Sequence, residues 1–216
     1  MRESELAFVG RMTAGATHEF LNVLAIISEA SGLLQDILSL NRGEPSSWDE
    51  KAKASLARIR RQIDRGTDLS ECLNKFAHSL DESGVRVDMN DTLDRVAVLM
   101  RHAARLEKVV LQTQRGEPSP VIVTNPLHLQ IVLATFIEWC LDLASPGGTI
   151  TLHALDLDED VAIRCETAPR RVDVQGDTSA GQRLAALEDL VCELGMRIVH
   201  EGPHPFEAVE LRIPRR

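Results

Sequence analysis

Apolar residues recur at steps of three and four along the first forty positions: Leu6, Val9, Thr13, Ala16, Phe20, Val23, Ile27, Ala30, Leu34 and Ile37, with Thr13 the one polar entry. That spacing predicts a long helix carrying a heptad seam. Met12, Leu24, Ile26, Leu33 and Leu38 flank the seam, and an apolar face that wide suits a helix bundle better than a two-stranded coil. Gly43 and Pro45 break the pattern. Ser47-Trp48-Asp49-Glu50 has the form of a capping box and predicts the start of a second helix. Leu56, Ile59, Ile63, Leu69, Leu73, Phe76 and Leu80 give that helix its apolar face, and Gly84 stops it. Two helices cannot bury faces this wide alone. Either the rest of the chain covers them or a second copy does, and a homodimeric four-helix bundle is the simplest closure.

Beyond position 84 the period changes. Residues 85–88, 109–113, 121–124, 149–155, 161–166, 196–200 and 208–213 alternate or cluster as strands. Residues 91–106, 126–143 and 182–194 read as helices, and Ser145-Pro146-Gly147-Gly148 reads as a turn. The fold class is therefore α+β. A helical hairpin over 1–84 precedes an α/β two-layer sandwich over 85–216.

Composition removes several function classes. The net charge is −9, and aromatic residues make up 3% with no Tyr. The acidic balance argues against phosphate neutralisation and the low aromatic content against base stacking, so nucleic acid is not an expected partner. Cys72, Cys140, Cys165 and Cys192 are scattered, without the spacing of a zinc site or a disulfide framework. The first residues, Met-Arg-Glu-Ser-Glu, contain no apolar signal region, and the apolar run 131–144 is interrupted by Glu138 and Asp142. The expectation is a cytoplasmic protein with no membrane contact and no metal site of its own.

His18 is the residue that packing does not explain. It falls at an f position, opposite the seam, among Ala14, Gly15, Leu21, Asn22, Ala25, Ser28 and Gly32. A solvated helix face would carry Lys, Glu and Gln there. Gly15 and Gly32 each cost a helix interior about 1 kcal/mol relative to Ala, so a smooth face kept at that cost points to a docking partner. Imidazole is a nucleophile near neutral pH. Glu19 follows it and, with a bent side chain, could orient the ring or take its proton. Asn22 lies one turn on, on the same face, where its amide could hold a water or a phosphoryl oxygen. The plain alternative is an ordinary surface histidine beside a solvated charge and a neutral amide. The basic stretch Arg58, Arg60, Arg61 and Arg65 reads either as a solvated face or as a patch that steers an acidic partner. His128, after a helix-starting Pro, reads as a surface or capping residue.

The run Val9-Gly10-Arg11-Met12-Thr13-Ala14-Gly15-Ala16-Thr17-His18-Glu19-Phe20-Leu21-Asn22-Val23-Leu24 resembles the phosphoacceptor helix of bacterial sensor histidine kinases. The resemblance implies that His18 is phosphorylated, that Glu19 assists transfer, and that Asn22 supports phosphatase activity. It also implies a dimeric hairpin that docks a response-regulator receiver domain. Leu21 and Val23 depart from the polar or Pro residues usual there. Asn125-Pro126-Leu127-His128-Leu129 through Gly147-Gly148-Thr149-Ile150-Thr151-Leu152 is similar in layout to the helix, turn and strand of the same kinases' ATPase domain. Thr135 and Trp139 stand where metal-binding Asn residues belong. Cys165-Glu166-Thr167-Ala168-Pro169 stands where a glycine-rich adenine loop belongs, and only Gly176 and Gly181 remain near the lid. No cofactor is expected in this chain, and Mg would come with the partner receiver. The reading is a stand-alone histidine phosphotransferase that relays phosphoryl groups between receiver domains through His18. Alternatives are a response-regulator phosphatase, a docking or sequestering protein, and an active kinase.

Overall fold

In the computed structural model of the chain, the residues described are 2–40, 46–79, 84–170, 178–201 and 208–215. The sequence-predicted loop at 41–45, Leu80, the approach to Gly84 and Gly176 lie outside them, as do the side chains of the capping box at 47–49.

Helices α1 (Arg2–Leu40) and α2 (Ser46–His78) pack against each other. The buried ridge of α1 is Phe8, Met12, Ala16, Glu19 and Val23, at steps of three and four, with Ala30 two turns further on. This ridge is rotated from the predicted seam, whose Leu6 and Thr13 are exposed. The reason is a third helix. Packing on α3 as well as α2 draws Phe8, Met12 and Glu19 inward. Phe8 meets Phe76 of α2 edge to face, with centroids 5.8 Å apart.

The remainder follows the order β1 (Val85–Asp88), α3 (Met89–Leu106), β2 (Val110–Gln114), β3 (Val121–Thr124), α4 (Pro126–Leu143), β4 (Ala144–Asp156), β5 (Asp160–Arg170), α5 (Thr178–Glu193), β6 (Arg197–Glu201) and β7 (Ala208–Pro214). β1 and β3 form an antiparallel pair. The other five strands form one sheet in the order β2-β4-β5-β7-β6, parallel only between β2 and β4. Alternation in β4 turns Ile150, Leu152 and Ala154 into the core beneath the helices. Asn125 caps α4 by accepting from the His128 N–H, with Pro126 at the first turn. Asp88 caps α3 in the same way, accepting from the Asp91 N–H.

The predicted turn at 145–148 belongs to the sheet. β4 runs through it with a shift of register between Ala144 and Thr149, a bulge that Gly147 permits at φ +85°. At Gly148 a Cβ would come within 2.8 Å of the Ser145 carbonyl oxygen, so only glycine fits.

One hydrophobic core joins both parts of the chain, from Phe8, Met12, Leu69 and Phe76 to Met100, Leu133 and Leu152. By length and composition alone, Glu5–Ser39 and Pro126–Leu143 could each cross a membrane. Here the second is a largely buried core helix, and the first lays Phe8, Met12 and Ala16 into the shared core.

Candidate functional site

His18 is exposed near the middle of α1. The nearest ring is His102 of α3, stacked on it with centroids 4.9 Å apart and planes 10° from parallel. That is the range of an offset stack. α3 is set in place by its buried Leu99, Met100 and Ala104, so the position of His102 is dictated by the core beneath it.

Glu19 turns the other way. Its carboxylate is 2% exposed, which without partners would be costly. One oxygen accepts from the Arg65 guanidinium of α2 and the other from Arg105 of α3. Three helices thus meet at one carboxylate. His18 and Glu19, adjacent on α1, face His102 and Arg105, one turn apart on α3.

The other sequence-predicted residues divide by exposure. Ala14, Leu21 and Ala25 are exposed, and Asn22 is half-buried. Gly15 is partly covered, and a Cβ on it would lie 3.8 Å from the Leu99 carbonyl oxygen of α3. Gly32, further along, has open space around it. The small-residue face therefore borders α3 at its Gly15 end. Of the arginine stretch, Arg58 pairs with Glu29 at 2.9 Å and Arg60 with Asp64 at 3.2 Å. Arg65 leaves the stretch to hold Glu19. His128 meets Glu5 of α1 at 3.2 Å.

Sequence reasoning missed His102, Arg105 and their neighbours. Arg65, Arg101, Arg105 and Lys108 line a hollow of about 450 Å³, which takes in the two arginines that hold Glu19. The signal was present as Arg101-His102-x-x-Arg105-x-x-Lys108, a basic stripe running along the end of α3 into the turn after it, in a chain whose net charge is −9. Nothing in the sequence ties it to His18, 84 residues away. The His102 Nδ1 is buried and has no hydrogen-bond partner among the described residues. Burial, reinforced by the charges of His18 and Arg105 and opposed by Glu19, holds the His102 pKa below its ordinary value.

The residues compared in the sequence with a kinase nucleotide site take up packing and strand positions. Trp139 is 1% exposed and packs against Phe136 in the core. The Thr135 hydroxyl donates to the Ile131 carbonyl of its own helix. Residues 165–168 are strand: Cys165 pairs with Leu152, Glu166 with Thr151, Thr167 with Ile150 and Ala168 with Thr149. Gly181 lies within α5, and Arg183 of that helix reaches back to Asp142 of α4 at 2.9 Å. Among the described residues, no group of three His, Cys, Asp or Glu side chains could hold a metal ion.

No protein-family model matches the sequence, and no curated protein does. Solved structures do. The nucleotide-free catalytic domain of histidine kinase ThkA is 14% identical, with a TM-score of 0.50, over 62% of this chain and 98% of that one. Histidine kinase ThkA in complex with the response regulator protein TrrA is 15% identical, with a TM-score of 0.50, over 100% of this chain and 64% of that one. At these identities the likeness is one of fold. The chain has a histidine-kinase-like fold, with N-terminal helices followed by an α/β sheet domain like the ATPase domains of those kinases.

Proposed function

We propose that the chain is a homodimeric histidine phosphotransferase, relaying phosphoryl groups between response-regulator receiver domains through His18, and that its 85–216 region binds no nucleotide. One observation carries this reading. An exposed His18 sits on the helix pair of a kinase-like fold in which Trp139 and Thr135 are committed to core packing and helix bonding. A phosphoacceptor without a nucleotide site needs a protein donor. The solved complex of histidine kinase ThkA with its response regulator is the precedent for a receiver as that partner.

The chemistry asks little of the chain. A lone pair on an imidazole nitrogen attacks phosphorus of the receiver's aspartyl phosphate. The P–O bond breaks, its electron pair leaves on the aspartate carboxylate, and the proton on the other ring nitrogen passes to water. Transfer onward reverses these steps. In-line positioning and charge neutralisation supply most of the rate. The hollow lined by Arg101, Arg105 and Lys108 would meet the acidic rim of a docked receiver. The metal ion of the transfer would arrive with the receiver.

The test uses receiver domains from the same genome, charged with radiolabelled acetyl phosphate and mixed with the full chain. Alkali-stable, acid-labile label is expected on the wild type and none on His18→Ala. Equal labelling of His18→Ala overturns the reading. Dephosphorylation lost in Asn22→Ala but kept in His18→Ala would identify a phosphatase instead, and direct labelling of His18 from Mg-ATP would identify a kinase.

A further inference from the structure

We infer that His102 is a positioning residue for phosphoryl transfer at His18, its ring fixing the orientation of the His18 imidazole by stacking on one face. This rests on the phosphotransfer reading above, and it assigns a catalytic purpose to a residue of the region that reading strips of nucleotide chemistry.

An exposed histidine on a helix samples several rotamers, and its ring turns about χ2. An attacking nitrogen must instead be held close to the line of the breaking P–O bond, and loss of alignment lowers the rate steeply. The offset stack, with centroids 4.9 Å apart and planes 10° from parallel, meets that need without blocking the chemistry. His102 covers a face of the ring. The nucleophilic lone pair of the neutral ring lies in the ring plane and stays open to a docking partner. A phosphoryl group bonded to nitrogen also lies in that plane, so the stack persists in the phosphorylated state.

The support under His102 is rigid. Its neighbours Leu99, Met100 and Ala104 are buried. Arg105, one turn on, clamps Glu19, the residue beside His18. The α1–α3 register is therefore pinned one residue from the nucleophile, by a contact that does not touch it. The buried Nδ1 of His102 meets no acceptor, so a protonated ring would strand an N–H there. The site therefore favours the neutral ring, which faces His18 as a flat plate.

The experiment measures single-turnover phosphotransfer from a phosphorylated receiver domain to the full chain, together with the receiver Kd. It compares wild type, His18→Ala, His102→Ala, His102→Gln and His102→Phe. Label on wild type and none on His18→Ala establishes the parent reading. His102→Ala and His102→Gln are then expected to slow transfer by roughly tenfold with receiver Kd unchanged, and His102→Phe, which keeps a flat ring, to restore most of the rate. The His102→Gln variant decides the matter if His102→Ala fails to fold. In parallel, NMR should show the His18 ring protons shifted by ring current in wild type and His102→Phe, but not in His102→Gln. Transfer in His102→Gln at the wild-type rate overturns the inference and leaves the parent reading standing. So does a His102→Phe variant as slow as His102→Gln. Absence of label on wild type removes both.

Discussion

At Glu19 a single carboxylate decides how α1, α2 and α3 meet. It is buried, and arginines from both other helices hold its oxygens. Removing it leaves two guanidinium groups without their shared anion. Glu19→Ala is expected to destabilise the fold by about 3 kcal/mol, measured by chemical denaturation. His18→Ala, at an exposed position, should change stability by less than about 1 kcal/mol, so a loss of function there is a loss of chemistry. His102 makes stability depend on pH in a stated direction. Its folded-state pKa lies below the ordinary 6.5, through burial first and the charges of His18 and Arg105 next. The unfolded chain therefore binds this proton more readily. The contribution is fully present above the unfolded value and is lost as pH falls through the folded one. As pH falls from neutral through the folded-state pKa of His102, wild type is expected to lose more denaturation free energy than His102→Phe. Equal losses would contradict this assignment of His102. At this scale the sequence was half legible. His18 stood out because it lay opposite the apolar seam on a face of small residues, whereas His102 gave no sign of where the fold would carry it.

Among the elements, periodicity located the helices and most strands because each buries one face. It failed where a third partner or a backbone irregularity intervened. The seam of α1 was read as if one face met one partner. In the structure α3 takes a second side, and the buried ridge shifts to Phe8, Met12 and Glu19. Pro146, Gly147 and Gly148 spelled a turn, but pairing with Ala168 and Arg170 holds the segment in the sheet as a bulge. The start of α3 shows a local signal that holds. Asp88 caps it through the Asp91 N–H at 2.9 Å. Burial alone would raise the Asp88 pKa, but the hydrogen bonds from Asp91 and Ser119 and the Arg115 charge outweigh it and hold the carboxyl below its ordinary value. Asp88→Ala should cost about 1 kcal/mol of stability. That difference from wild type should vanish in acid, as pH falls through the folded Asp88 pKa. α4 needs its large residues for another reason. Trp139→Ala opens a cavity and should cost about 4 kcal/mol, a loss expected of a core position and not of a worn ligand site.

For the whole molecule, the shared core packs the helix pair onto the sheet region through α3. The surface still left open on α1 and α2 is apolar. Leu24 is 60% exposed and Leu38 66%, with Leu56 and Ile63 of α2 also exposed. We propose that a second copy of the chain covers it, as the breadth of the apolar faces suggests. Sedimentation equilibrium should give a dimer for wild type and a monomer for a Leu24→Glu, Leu38→Glu double variant, and a monomeric wild type would overturn the bundle. The relay itself is tested most directly with two receiver domains, one charged with radiolabelled phosphate and one empty, mixed with catalytic amounts of this chain. The account expects label to pass through a transient acid-labile species at His18 and arrive on the second receiver, and to stay on the first when His18→Ala replaces wild type. Label that reaches the second receiver without His18, or that is released only as inorganic phosphate, would contradict it.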